Sequence, residues 1–135
     1  MTYSKHFHSV FKLTYHLILV TKYRRKCITK EILLRLEIIT QNLCNTWRAK
    51  LIEFNGEQDH VHLLIELHPG IKPSSFVNNI KTVTARIIRN EFENHLNFYY
   101  HKPCFWSRSY CIISCGGAPL TIIKQYIQQQ DAPQR

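Results

Sequence analysis

A chain of 135 residues, 44% of them hydrophobic, is long enough to bury one core and too short for two, and its four glycines and five prolines exclude a low-complexity or fibrous protein. Eighteen Lys and Arg against nine Asp and Glu leave a charge of +9 with histidines neutral, which favours a polyanionic partner, nucleic acid ahead of an anionic membrane. Five cysteines, odd in number and without a C-x-x-C spacing, argue against a disulfide framework and against structural zinc, and predict a reduced, intracellular protein. The opening MTYSKHFHSV has no signal-peptide core, and the longest unbroken apolar run, LILV at 17–20, is far too short to span a bilayer. A soluble, cytoplasmic protein with no membrane partner, a single domain over residues 1–135, is the expectation.

YHLILVTKY (15–23) is rich in β-formers around an apolar centre and reads as a buried strand. Thr29 stands at an N-cap with Glu31 in the first turn, and Ile32, Leu36, Ile39, Leu43 and Trp47 then recur on one face of a long helix. LIEFNGE (51–57) and HVHLLIEL (60–67) predict a hairpin joined by an Asn-Gly-containing turn. PGIKPSS breaks the chain, and Phe76, Ile80, Val83 and Ile87 mark a second long helix reaching about Phe92. NHLNFYYHKP reads as irregular, FWSRSYCIIS (105–114) as a fourth strand, CGGAP as a breaker and LTIIKQYIQQQ (120–130) as a final helix. The order β-α-β-β-α-β plus one helix is that of an α+β, ferredoxin-like fold: an antiparallel sheet with strands one and three central and both long helices on one face.

On the third strand, alternation puts His60, His62, Leu64 and Glu66 on one face and Val61, Leu63, Ile65 and Leu67 on the other. The apolar set belongs under the helices. Two imidazoles are left about 7 Å apart along the strand, a spacing that can hold one divalent ion if a third ligand is supplied. Eight histidines give roughly 0.5 chance pairs of this spacing, so an incidental pair is the competing reading. His6 and His8 form a second pair, but in a polar segment with no strand pattern. On the last helix Leu120, Ile123 and Ile127 make a narrow apolar stripe, with Tyr126 and Gln130 together at its edge. Tyr126 is either a packing residue with a wet hydroxyl or a nucleophile.

Four stretches in order, KYRRK after strand one, DHVHLLI on strand three, SYCIISCGG on strand four and TIIKQYIQQQ at the end, resemble the single-tyrosine HUH transposases of bacterial insertion sequences, the TnpA type with its REP-associated relatives. The likeness covers about residues 10–131. It implies a ferredoxin-like core, a homodimer and a divalent metal, Mg²⁺ or Mn²⁺, held by His60, His62 and Gln130, with Tyr126 as the catalytic nucleophile. It also implies that the tyrosine helix can serve the histidine pair of the other protomer. Gln58 stands where relatives often carry proline, a change in a turn and not in a ligand.

The implied reaction is strand cutting and rejoining of single-stranded DNA at insertion-sequence ends through a 5′-phosphotyrosine, on DNA carrying subterminal hairpins. No Walker-type glycine loop is present, in keeping with chemistry that needs no nucleotide cofactor. Candidate phosphate contacts are Lys22, Arg24, Arg25 and Lys26 after strand one and Lys81, Arg86 and Arg89 on the second helix. Tyr99, Tyr100 and Trp106 are candidate stacking residues with packing as the alternative. Three other readings compete: a non-catalytic nucleic-acid-binding module of the RNA-recognition kind, an HUH nickase of the replication-initiator kind, and a dimeric interaction domain with incidental histidines. The first of these lacks the GFGFV-like aromatic run such modules use.

Overall fold

The computed structural model describes residues 13–115. Within them the chain runs β1 (Leu13–Thr21), a 3₁₀ turn (Lys22–Arg24), α1 (Lys30–Thr46), β2 (Lys50–Gly56), β3 (His60–Leu67), α2 (Pro73–Glu91), a single helical turn α3 (Glu93–Leu96) and β4 (Trp106–Ser114). The sheet order is β2-β3-β1-β4, every neighbouring pair antiparallel. This is the ferredoxin-like arrangement expected from the element order, with β1 and β3 central. The final helix, with Tyr126 and Gln130, and the His6/His8 pair lie outside the described residues.

Local signals account for the helices. Thr29 is extended, and its hydroxyl accepts the Ile32 amide at 3.1 Å, closing the N-terminus of α1. Ile32, Leu36 and Ile39 are then buried on one face, as their spacing predicts. Pro73 opens α2, where its missing N–H is no loss, and Phe76, Val77, Ile80 and Ile88 face inward. Trp47 packs edge-on to Phe76 at 5.7 Å while its indole N–H donates to Asn79 at 2.9 Å, joining the end of α1 to α2. These residues form one core with Val61, Leu63, Ile65 and Leu67 of β3 and Leu17 and Leu19 of β1. Each fully buried aliphatic side chain here contributes about 1.5–3 kcal/mol of transfer free energy.

β1 is buried on both faces. Leu17 and Leu19 enter the helix-covered core, whereas Ile18 and Val20 are buried on the opposite side with Cys111 and Ile113 packed against them. That explains why LILV is an unbroken run instead of an alternating one.

Three expectations shift. The first strand is Leu13–Thr21, so Lys22 and Tyr23 belong to the turn that follows it. A helical turn, Glu93–Leu96, stands within a stretch that reads as irregular. Asn55 and Gly56 do not form the hairpin turn; they are the last residues of β2, paired with His62 and Val61, and the connection is Glu57 to Asp59. Gly56 serves close approach and not a left-handed turn: a Cβ there would stand 2.6 Å from Leu33 Cδ1 and 2.9 Å from the His60 carbonyl oxygen.

Gly56→Ala therefore should destabilise by about 1–3 kcal/mol in urea titration. Gly70→Ala, where the nearest atom is 3.4 Å away, should stay within about 0.5 kcal/mol. Equal effects at the two glycines would refute the packing explanation.

Candidate active site

Strand pairing sets the two sequence-predicted histidines opposite β1: His60 faces Val20 and His62 faces Ile18. Both rings lie on the side away from the helices, half-buried, while their neighbours on β3 are buried beneath the helices. They border a groove of about 460 Å³ at the β2 edge, together with Asn55, Gly56 and Glu57.

Each imidazole has one nitrogen engaged. His60 Nδ1–H donates to Asp59 Oδ1 at 2.9 Å, so the carboxylate fixes the tautomer and leaves Nε2 as the lone-pair nitrogen. Asp59 itself is buried and accepts from Arg24 Nη2 at 2.8 Å through its other oxygen. Burial alone would raise the Asp59 carboxyl, but the His60 hydrogen bond and the Arg24 charge outweigh it and hold the group below its ordinary value. His62 Nε2 stands 2.8 Å from His16 Nδ1, with 5.0 Å between ring centroids and 24° between ring planes. Burial, and then the proximity of His16, lower the His62 pKa and keep the ring neutral.

Arg24 reaches Asp59 from an unusual backbone. Tyr23 and Arg24 both have positive φ, 57° and 54°, in the left-handed region that β-carbon-bearing residues rarely adopt. The turn is held around them: Thr21 N–H donates to the Asp59 carbonyl at 2.9 Å, Lys22 N–H to Phe105 at 2.8 Å, and the Tyr100 hydroxyl to the Lys22 carbonyl at 2.7 Å. Burial pushes the Tyr100 phenol well above its usual range, and its hydroxyl braces the turn through the Lys22 carbonyl.

The other predicted cations separate into groups. Lys22 and Arg25 lie over the Tyr23 ring at 5.3 and 5.5 Å from its centroid, and Arg25 and Lys26 are exposed. Lys81 is committed to β4, donating to the Ser107 and Arg108 carbonyls at 2.8 and 3.0 Å, and burial lowers its pKa. Arg86 and Arg89 line a separate groove of about 880 Å³ with Arg35, His101 and Lys102. Tyr100 and Trp106 are core residues, the indole donating to Thr84 at 2.9 Å, and Tyr99 packs against His95. None of these three is a free stacking platform.

Sequence reasoning missed His16 and the link from Asp59 to Arg24. His16 shares a face with Ile18 and Val20 by alternation, but only the register of β1 on β3 shows that it lies diagonal to His62. Among the described residues no three His, Cys, Asp or Glu side chains form a ready cation cage. The donor set on β3 is instead a two-imidazole half-site that fits a divalent ion completed from elsewhere.

An antiparallel ferredoxin-like sheet presenting paired histidines, one oriented by a buried carboxylate, differs from an RNA-recognition module, which reads bases from aromatics on its central strands. On that face β3 offers His60, His62, Leu64 and Glu66 and β1 offers Thr14, His16, Ile18 and Val20, with no aromatic among them. Comparison with known proteins gives the class. Residues 9–130 match the family model for IS200-like transposases, and the chain belongs to that family. It is 28% identical over 123 residues to the transposase of insertion sequence IS200 from Salmonella typhimurium, covering 91% of this chain and 80% of that one. It is 29% identical over 121 residues to the ISDra2 transposase TnpA of Deinococcus radiodurans, covering 90% and 86%. A crystal structure of a Deinococcus radiodurans transposase superposes with a TM-score of 0.82 at 29% identity, over 94% of this chain and 97% of that one. The REP-associated tyrosine transposase bound to a REP hairpin shares the fold, with a TM-score of 0.59 at 13% identity over 95% and 68%. Among the described residues no helix is long and apolar enough to cross a membrane.

The lowered pKa values of His62 and Asp59 carry a stability consequence. A group whose folded pKa lies below its unfolded one contributes stability that is complete above the unfolded value and is lost as pH falls through the folded value. For His62 the loss begins below about pH 6.5 and for Asp59 below about pH 3.8. The melting temperature of metal-free protein should fall over both ranges, and Asp59→Asn should remove the lower step while leaving the upper one. A flat profile from pH 7 to 5 would contradict the shift at His62.

Proposed function

We propose that this transposase cuts and rejoins single-stranded DNA at insertion-sequence ends through a 5′-phosphotyrosine formed on Tyr126. The observation that carries the reading is the pair His60 and His62, side by side on one face of β3, with His60 held by Asp59 in the tautomer a ligand needs. His60 and His62, with Gln130 as third ligand, would hold Mg²⁺ or Mn²⁺, and the ion would supply polarisation of the scissile phosphate and offset the charge that develops on it. The Tyr126 oxygen forms a bond to phosphorus as the bond to the 3′ oxygen breaks; the phenol proton is lost and the leaving 3′ oxygen is protonated. A 3′-OH from another strand then displaces the tyrosine, so the ester conserves the bond energy and no nucleotide cofactor is required.

The family resemblance supports a homodimer in which the tyrosine helix of one protomer completes the site of its partner. A charge of +9 supports a DNA partner held largely through phosphates. The 880 Å³ groove is the concave basic surface suited to a folded DNA hairpin, since Arg86 and Arg89 enter it beside Lys102 and His101. Arg35 in the same groove is already paired with Glu91 through two bonds of 2.8 Å.

Single-stranded oligonucleotides covering insertion-sequence ends, incubated with the protein and Mn²⁺, should give a denaturation-resistant protein–DNA adduct. EDTA and Tyr126→Phe should each abolish it. An adduct persisting in Tyr126→Phe would assign the nucleophile elsewhere, and tight binding without an adduct would favour a binding role alone. Replacing Arg86 and Arg89 together with alanine should lower the slope of log affinity against log salt by about one unit per arginine. An unchanged slope would remove the groove from the DNA path.

A further inference from the structure

We infer that His16 is a positioning residue of the histidine centre: it receives the Nε2 proton of His62 and thereby leaves the His62 Nδ1 lone pair free for the divalent ion. The inference rests on the proposed role of His60 and His62 as ligands and adds a residue, a direction of donation and a tautomer to it.

Hydrogen counting fixes the direction of donation. His16 Nδ1 and His62 Nε2 are 2.8 Å apart, so one of them carries the proton and the other accepts it. If His16 donated, the neutral His62 ring would place its only lone pair in that bond and its proton on Nδ1. No nitrogen of His62 would then remain to bind a cation. If His62 donates from Nε2, its Nδ1 lone pair is free while the ring stays neutral, as a ligand must be. Donation from His62 to His16 is thus the only neutral arrangement consistent with His62 as a ligand.

The result parallels His60, with the nitrogens exchanged. His60 gives its Nδ1 proton to Asp59 and keeps Nε2; His62 gives its Nε2 proton to His16 and keeps Nδ1. The partners differ in charge, a buried carboxylate for one and an imidazole for the other, so the two ligands are unequal in basicity. The position of His16 is also fixed: it sits on the central strand, diagonal to His62 across the β1–β3 register, with its ring plane 24° from that of its partner. The hydrogen bond holds the His62 ring in one orientation before any ion arrives.

Two readouts test this, one without metal. In metal-free protein, the ring nitrogen shifts in ¹⁵N-histidine NMR should show His62 as the Nε2–H tautomer. His16→Ala should mix the tautomers. His16→Asn, whose amide oxygen occupies the place of Nδ1, should restore the Nε2–H form, whereas His16→Gln, whose amide reaches the place of Nε2, should not. By Mn²⁺ titration followed by electron paramagnetic resonance, His16→Ala should bind about 10–100-fold more weakly and His16→Asn close to the native protein. A His62 found as the Nδ1–H tautomer in the unaltered protein would overturn the inference, as would His16→Ala with native tautomer and native Mn²⁺ affinity. Three coordinated imidazoles in the spin-echo spectrum would also overturn it, by making His16 a ligand. If the Nε2–H tautomer depends on His16 but the protein binds no Mn²⁺, positioning by His16 stands and the metal role of the pair falls.

Discussion

One buried carboxylate holds the site together. Asp59 is nearly inaccessible to solvent, yet it stays ionised because His60 and Arg24 each bond one of its oxygens at 2.9 and 2.8 Å. Leaving either oxygen without its partner would strand a buried acceptor, at a cost of about 1–3 kcal/mol or more for a charged group. The same bonds join two separate pieces of chain: the 3₁₀ turn after β1 and the stretch that runs from the hairpin connection into β3. The left-handed backbone at Tyr23 and Arg24 makes sense in this setting. It is strain of about 1–3 kcal/mol per residue that brings a guanidinium to Asp59, and the surrounding hydrogen bonds from the Thr21 and Lys22 amides and the Tyr100 hydroxyl keep the turn from relaxing.

The sheet divides its labour by face. Beneath the helices every β3 position is apolar and buried, which locks the register: a one-residue slip would turn His60 and His62 into the core. On the other face, Ile18 and Val20 stand opposite His62 and His60, with Cys111 and Ile113 packed against them. That surface lowers the local dielectric, keeps His62 neutral and strengthens the hydrogen bonds that orient both rings. The same burial on both sides makes β1 the strand least able to change without disturbing core and site together.

Basic residues that look alike in the sequence have different jobs. Arg24 is structural support for His60, Lys81 ties α2 to the start of β4, and Arg86 and Arg89 enter an open groove. Guanidinium suits Asp59 because one N–H can reach a buried oxygen while the stem packs, whereas the Lys81 ammonium gathers two carbonyls at one point. Neighbours in space, not spacing in sequence, separate these roles.

Much of the architecture was legible in the residues. Thr29 as a cap, the 3.6-residue stripes of both helices and the strict alternation of HVHLLIEL are local physics, and they carried the element order and hence the ferredoxin-like topology. Alternation alone also put His60 and His62 on one face. The Asn-Gly pair misled because a turn signal and a close-packing glycine look the same until Leu33 is seen 2.6 Å from the missing Cβ. What only the tertiary structure decided are the contacts between strands. The partnership of His16 with His62 spans 46 positions, and that of Arg24 with Asp59 spans 35. Such pairs depend on strand register and on a left-handed turn, and neither is written in the local pattern of either segment.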